Sequence, residues 1–445
     1  MVEICTVGGY NEVGKNMTAI KVADDVIIMD MGLHMENYVR VKGDEEAFGT
    51  INAASLLKAN AIPDDRCIEE WRKQVRLIVP THAHLDHVGA IPYLANKYGV
   101  PIVATPYTIQ VLRTLLRDDD FKIRNELRVM NPNSSQRVNK DMTLEFINVT
   151  HSTPQTVIAA LHTKEGTILY ANDFKFDNNP ILGTRPNYKR LEELGKSGKV
   201  KALIVDGTRA TRSGKTPSES VAREMLREVM LDTNSKGGMV IITTFSSHLA
   251  RLKSIIEFGK RMNRRIIFLG RSLAKYVQAG EAIGLVKFSN QVEIVKYREQ
   301  IKKRLKQLSK ERRDKYLLVV TGHQGEPESV LARMIKQELP FEFYPEDHVI
   351  FSCSVIPNPS NIANREIMEE DLKKYRVRMF KDIHTSGHAS KEDLRDLISL
   401  VKPKHIIPAH GDFTMITALA DLCIEMGYKV GEDVHIMRDG LKIRI

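Results

Sequence analysis

The sequence predicts an α/β fold in which a parallel sheet, with helices on both faces, interrupts a mixed α/β unit. Three observations carry this. Short β-branched apolar runs bounded by turn residues alternate with amphipathic stretches along almost the whole chain. Between about 200 and 355 the apolar runs become nearly continuous and alternate with helical patterns, as strands buried on both faces do. The chain, at 445 residues, exceeds one typical domain, and strand-like and helical runs return after the block.

In the first part, ICTVGG (4–9), VIIMD (26–30), VRLIVP (75–80), IVAT (102–105), LEFINVT (144–150) and TILYAND (167–173) read as strands. Pro106 opens a helix over 106–117, its ring preset for the first turn. The segment 35–75 reads as an insertion between strands, with a turn at IPDD (62–65) and helical pieces near 52–60 and 67–75. The parallel block contains VKALIVD (200–206), GMVIITT (238–244), RRIIFLG (264–270), KYLLVVTG (315–322) and DHVIFSC (347–353). Helices are expected between them at 217–231, 247–262, 272–283 and 326–337. The return contains RVRMFK (376–381), KHIIPAH (404–410) and a helix at 413–426. Of three charged stretches, 117–126, 296–315 and 369–378, the basic one at 296–315 reads as a solvated helix face, with an RNA-contacting surface as the alternative.

Composition excludes several classes. Hydrophobic residues are 42% and charged residues 27%, a globular rather than disordered balance. No apolar stretch approaches a membrane span, and the first residues lack the basic head and apolar run of a signal peptide. Four cysteines, scattered and unpaired in spacing, fit a reducing cytoplasm and argue against a disulfide scaffold or a Cys-type zinc site. A formal net charge of +10 favours polyanionic partners. Aromatics are only 6%, which argues against a broad base-stacking platform.

HAHLDH (82–87) is the strongest chemical signal. It follows an apolar strand, so His82, His84, Asp86 and His87 sit on a loop where side chains converge. Imidazole and carboxylate donors at this density suit zinc or manganese at a hydrolytic site. Taken alone, His151 is a loop histidine and Asp173 a turn residue.

HAHLDH resembles the His-x-His-x-Asp-His signature of the metallo-β-lactamase superfamily. That resemblance implies an αββα sandwich and makes His151, in NVTHSTPQTV, and Asp173, in YANDFKFD, further ligands. The block after 200 is similar to the inserted domain of the nucleic-acid-processing β-CASP group. Asp206 in IVDGTRATR, His388 in HTSGHASKED and His410 in IIPAHGDF match that group's three further motifs. His at the last of these is the RNA-directed variant. Within the group the chain most resembles the ribonuclease J family, through GGYNEVGKNM (8–17), NDFKFD (172–177), TFSSHLARL (244–252), GRSLAKYV (270–277), TGHQGEPES (321–329) and FSCSVIPNPSN (351–361). It is expected to be the shorter archaeal form, without the C-terminal domain of bacterial members. His323 stands where the family often has Ser.

The resemblance implies these domain bounds: metallo-β-lactamase core 1–198, inserted β-CASP domain 199–355, and core return 356–445. It implies two divalent ions, zinc with manganese as the alternative, which supply a nucleophile and neutralise phosphate charge. One ion takes His82, His84, His151 and Asp173. The other takes Asp86, His87, Asp173 and His410, with Asp173 bridging. His388 stabilises the scissile phosphate or assists the leaving oxygen, and Asp86, Asp173 and Asp206 are the other catalytic candidates. The run Thr385 to Ser390 is small and hydroxyl-rich with a helix start near Ser390, a setting in which backbone N–H groups can hold an anion, and the resemblance makes Ser386, Gly387, His388 and Ala389 the expected 5′-phosphate pocket. The expected activity is 5′→3′ exonuclease action on single-stranded, 5′-monophosphorylated RNA with release of mononucleotides, with endonuclease activity alongside. It acts in RNA decay and maturation, from a cytoplasmic homodimer, with positive charge drawing RNA toward a cleft between the domains. The alternatives are a CPSF-like RNA endonuclease, disfavoured by the absent N-terminal extension, and a catalytically dead RNA-binding subunit, which requires lost ligands. A small-molecule thioester or lactam hydrolase would need neither the insertion nor His388.

Overall fold

Period-two side-chain alternation builds the first sheet in the computed structural model, which describes residues 1–43, 51–118 and 120–445. Positions 44–50 of the expected insertion and Asp119 of the charged stretch 117–126 lie outside the described residues. Strands β1 (Val2–Gly8), β2 (Met17–Val22), β3 (Asp25–Met29), β4 (Val75–Val79), β5 (Ile102–Ala104) and β6 (Leu127–Val129) lie side by side in chain order. The first three form an antiparallel meander, and β3 to β6 run parallel. Register places Ile4, Ile20 and Ile27 opposite one another on one face, and Cys5, Ala19 and Ile28 on the other.

The second sheet starts as an antiparallel set: β7 (Ser135–Arg137), β8 (Met142–Asn148), β9 (Val157–Thr163) and β10 (Gly166–Ala171). Strand β11 (Val200–Asp206) then joins β10 in parallel. Ile4, Ile20, Ile27 and Leu77 of the first sheet share one buried cluster with Phe146, Leu161, Ile168 and Ile204 of the second. The outer rows pack on helices: Ile28 and Ile78 with Leu94 and Leu112, and Leu169 and Leu203 with Leu191, Leu394 and Leu419. This is an αββα sandwich. Each such fully buried side chain contributes about 1.5–3 kcal/mol of transfer free energy.

The second unit has an all-parallel sheet of β12 (Val240–Thr243), β13 (Arg265–Leu269), β14 (Glu293–Val295), β15 (Tyr316–Val320), β16 (His348–Phe351) and β17 (Arg378–Phe380). The spatial order is β14-β13-β15-β12-β16-β17. All five residues of central β15 are buried. One face packs Ile241, Leu318 and Val349 against Leu305, Met368 and Leu372. On the other, helix Leu249–Arg261 approaches so closely that a Cβ at Gly259 would meet Ile266 and Leu317. The chain then returns: β18 (His405–Ala409) lies parallel to β11, and β19 (Leu441–Arg444) antiparallel to β1.

The inserted domain is expected over 199–355. The compact units comprise 1–178, 183–216 and 387–445 in one, and 179–182 and 217–386 in the other. The run 200–206, read from sequence as opening the parallel block, instead sits between β10 and β18 in the sandwich. Its continuous apolar pattern suits any central parallel position. The run 376–381, read as part of the return, supplies edge strand β17 to the second unit. The helix expected at 326–337 is shorter, Val330–Ile335, because Ser329 caps it. Among the described residues no helix is long and apolar enough to cross a membrane.

Candidate metal centre

Strands end where donors begin. Asp30 follows β3, HAHLDH follows β4, Asp173 follows β10, Asp206 closes β11 and His410 follows β18. Asp30, Asp173 and His410 have left-handed backbone, φ +57°, +49° and +53°. Non-glycine residues adopt that region at a cost of about 1–2 kcal/mol each, and such residues cluster at functional sites. His84 precedes the short helix Leu85–Val88, which presents Asp86 and His87. Gly32 is required beside it: a Cβ there would fall 1.6 Å from the Asp86 carbonyl oxygen.

The loops bring all seven expected ligands together in two groups that share Asp173. In the first, His84 Nδ1 lies 3.2 Å from both His82 Nε2 and His151 Nε2. Asp173 Oδ2 lies 3.5 Å from His82 Nε2 and 3.4 Å from His151 Nε2. In the second, Asp173 Oδ1 lies 3.3 Å from His87 Nε2 and 3.4 Å from His410 Nε2, and Asp86 Oδ2 lies 3.7 Å from each ring. A tetrahedral ion with bonds of about 2.0–2.1 Å has ligand–ligand edges of about 3.3–3.4 Å. The separations given, 3.2–3.7 Å, bracket that figure. Asp173 Oδ1 is buried without a hydrogen-bond partner, as a ligand oxygen awaiting a cation would be.

Hydrogen bonds behind the rings set the tautomers. His87 Nδ1–H donates to Asp30 at 2.7 Å, and His151 Nδ1–H to the Gly387 carbonyl at 2.7 Å. His82 Nδ1 meets Thr81 Oγ1 at 3.2 Å, and that hydroxyl donates to Asp30. These partners accept protons, so each Nε2 keeps its lone pair for the centre.

His388 stands beside these donors. Its Nδ1–H donates to buried Asp206 at 2.8 Å, and its Nε2 lies 3.9 Å from Asp173 Oδ2. Asp206 also accepts from the Thr208 amide and hydroxyl. The result is a carboxylate-oriented imidazole aimed at the centre.

Three family models match the chain in succession. Residues 68–230 match the family model described as the metallo-beta-lactamase superfamily, 237–369 that of the ribonuclease J beta-CASP domain, and 374–437 that of the Zn-dependent metallo-hydrolase RNA specificity domain. Ribonuclease J of Pyrococcus abyssi is 45% identical, covering 100% of this chain and 97% of its own length. Ribonuclease J of Methanocaldococcus jannaschii is 43% identical, covering 98% and 97%. This chain belongs to the ribonuclease J family. It is a metal-dependent hydrolytic ribonuclease of the metallo-β-lactamase/β-CASP type. The Helicobacter pylori relative is 30% identical, and this chain spans 61% of it. A crystal structure of a protein of unknown function from Enterococcus faecalis V583 shares the fold, with a TM-score of 0.66 at 17% identity and 99% of each chain covered.

Electrostatics suit a ribonuclease J metal site. Burial holds the His82, His84 and His151 imidazoles below their usual range, His84 down to about 3, so they are neutral donors at pH 7. His87 behaves oppositely: burial disfavours its charge, but Asp173, Asp30 and Asp86 together raise it well above that range. Burial likewise opposes charge on His388, yet Asp173 and Asp206 raise it to about 9. A divalent cation would substitute for such protons, so its binding releases them. Asp86 and His388 keep 22% and 23% of their side chains exposed, against 1% or less for His82, His87 and Asp173.

The 386–389 segment is tied down at several points. The carbonyls of Gly387 and His388 accept from His151 and Thr216. Ala389 is buried in the sandwich core. Ser390 and Asp393 form a capping box on helix Lys391–Val401. Ser386 belongs to the second unit, and the rest of the segment to the first.

Sequence reading passed over three contributors. Asp30 orients His87 and Thr81. Its signal is present, since VIIMD ends an apolar strand with Asp just as LIVD does at Asp206. Asn16 donates through its amide N–H and its side chain to the Asp86 carbonyl, and its Oδ1 accepts from Asn172. Gly14 places its amide 3.2 Å from His410 Nδ1. Only the three-dimensional approach of these loops reveals the last two.

Proposed function

We propose that this chain is a 5′→3′ exoribonuclease that releases mononucleotides from single-stranded, 5′-monophosphorylated RNA and uses two divalent cations, zinc foremost. The observation that carries the proposal is Asp173, with one carboxylate oxygen facing each donor group. His82, His84 and His151 would hold one ion with Asp173 Oδ2. Asp86, His87 and His410 would hold the other with Asp173 Oδ1. Imidazole-rich donors at tetrahedral spacing favour zinc over magnesium or calcium, with manganese as the competing ion. Bound there, the pair supplies a nucleophile at neutral pH and a clamp on phosphoryl oxygens.

The chain's own residues do the remainder. Asp206 locks the His388 ring and favours the imidazolium, so Nε2–H can donate to the scissile phosphate or protonate the departing 3′ oxygen. Asp30 fixes the His87 ring and, through Thr81, that of His82. We assign Ser386, Gly387, His388 and Ala389 to the 5′-phosphate pocket through backbone N–H groups. The carbonyls of Gly387 and His388 are already engaged, and Ala389 offers no side chain. We read the enzyme as cytoplasmic, in keeping with its four free cysteines, and as a homodimer, which light scattering tests.

The test uses RNAs labelled at the 3′ end and carrying 5′-monophosphate, 5′-triphosphate or 5′-hydroxyl groups, with a chelator control. Mononucleotides released from the monophosphorylated RNA, lost on chelation and in His84→Ala, are the expected result. Dominant internal fragments with no effect of the 5′ group would replace the exonuclease reading by the endonuclease one. No cleavage of any RNA with both metals bound would leave the inactive RNA-binding reading.

A further inference from the structure

The second unit carries a basic basin where β13 and β15 begin side by side, Arg265 opposite Tyr316 in register. Its volume is about 630 Å³, and Lys260, Arg264, Arg265, Arg312 and Lys315 line it with one carboxylate, Glu311. Glu311 is already engaged by Arg304 and the Tyr316 hydroxyl. Arg264 is only 8% exposed, yet its guanidinium meets only neutral oxygens: the carbonyls of Gly238, Tyr316 and Ser235, and the Ser235 hydroxyl. No carboxylate hydrogen-bonds its guanidinium among the described residues; Asp314 and Asp347 act on it from farther off, and Asp314 is itself paired with Arg312. Arg265 and Lys315 are exposed and form no ion pair among the described residues. The lining aromatic, Tyr316, is buried and its ring is covered by Arg304, so no base can stack there.

We infer that this basin is an RNA anchor that holds phosphodiester groups of the substrate strand without reading its bases. A surface with unpaired cations, no aromatic platform and no free carboxylate of its own selects phosphate oxygens rather than nucleobases. The inference rests on the ribonuclease reading but adds a site outside the metal centre. It also gives a use to the basic run at 296–315, whose end supplies Arg312 and Lys315.

The test uses the metal-loaded full chain. The variant is Lys260→Glu/Arg265→Glu/Lys315→Glu, and the charge-matched control is Lys196→Glu/Lys404→Glu/Lys429→Glu. Steady-state kinetics are measured on 5′-monophosphorylated RNAs over a series of lengths and salt concentrations. The expected result is a KM for a 30-mer raised about tenfold at low salt, and a log–log salt slope smaller by about 2, three single-strand contacts at about 0.7 each. In that variant kcat is retained, the control behaves as wild type, and Lys260→Arg/Arg265→Lys/Lys315→Arg restores KM. Unchanged KM and slope, or an equal effect of the control, overturns the inference. So does tripolyphosphate that binds the wild type but not the variant while RNA KM is unchanged, since the basin would then serve free oligophosphates. Anisotropy with a phosphorothioate 30-mer reads binding without hydrolysis, so failure of the anchor and failure of the ribonuclease reading are told apart.

Discussion

Gly387→Ala tests how tightly the first donor group is built. The added Cβ would fall 2.8 Å from Cε1 and Nδ1 of His151 and 2.9 Å from Ser152 Oγ. Ordinary contact begins near 3.4 Å, so either the ring or the backbone must yield by about 0.6 Å. The ring has little room: Nδ1 is held by the Gly387 carbonyl at 2.7 Å, while Nε2 faces His84 and Asp173. Displacement by that amount spoils a bond whose length is set to within about 0.2 Å. Loss of an orienting contact behind a metal ligand typically costs about 10–100-fold in affinity, which is about 1.4–2.7 kcal/mol. The assay is competition with a chromophoric zinc chelator, with a thermal melt to register the overpacking cost of about 1–3 kcal/mol. Weakening of one of two sites is expected, with a parallel loss of kcat. Wild-type affinity at both sites and wild-type kcat would refute the reasoning.

Two further outcomes follow from the electrostatics. Asp206→Asn keeps the shape but removes the charge that holds His388 Nδ1–H, so kcat should fall about 10–100-fold with little change in KM. Asp206 raises the His388 pKa, so its removal moves the alkaline limb of the pH–rate profile to lower pH. Glu145 is a stability case: burial opposes its charge, but His162 and Arg190 hold its carboxyl down to about 2. A depressed carboxylate stabilises the fold above its unfolded pKa, so that contribution is complete above about pH 4.5 and is lost as pH falls toward 2. Glu145→Gln should therefore lose up to about 3 kcal/mol at neutral pH and flatten the acid limb of denaturant-measured stability.

Much of the site was legible because its densest part is contiguous. HAHLDH places four donors in six positions after one strand, and a strand-end loop needs no long-range information to be recognised. His151, Asp173 and His410 gained their meaning from order and resemblance, and the loops do converge. The Asp206–His388 pair spans 182 positions and becomes a contact only through the β11–β18 pairing. Boundaries were less legible, because a fully apolar strand such as 200–206 fits the interior of either parallel region. Strand β9, VIAALHT, escaped notice since its alanines carry little β propensity. Cys5 and Cys67, unremarkable in spacing, come within 3.6 Å, a proximity that only the packing of β1 on the 65–74 turn creates.

The central claim is that Asp173 joins two ions in one hydrolytic centre. Metal content per chain, measured by mass spectrometry after dialysis and correlated with ribonuclease activity, tests it most directly. The account predicts two zinc or manganese ions in the wild type, one or none in Asp173→Asn, and activity that tracks the doubly loaded fraction. Full activity in chain carrying fewer than one ion, or two tightly held ions in Asp173→Asn with activity intact, would contradict it.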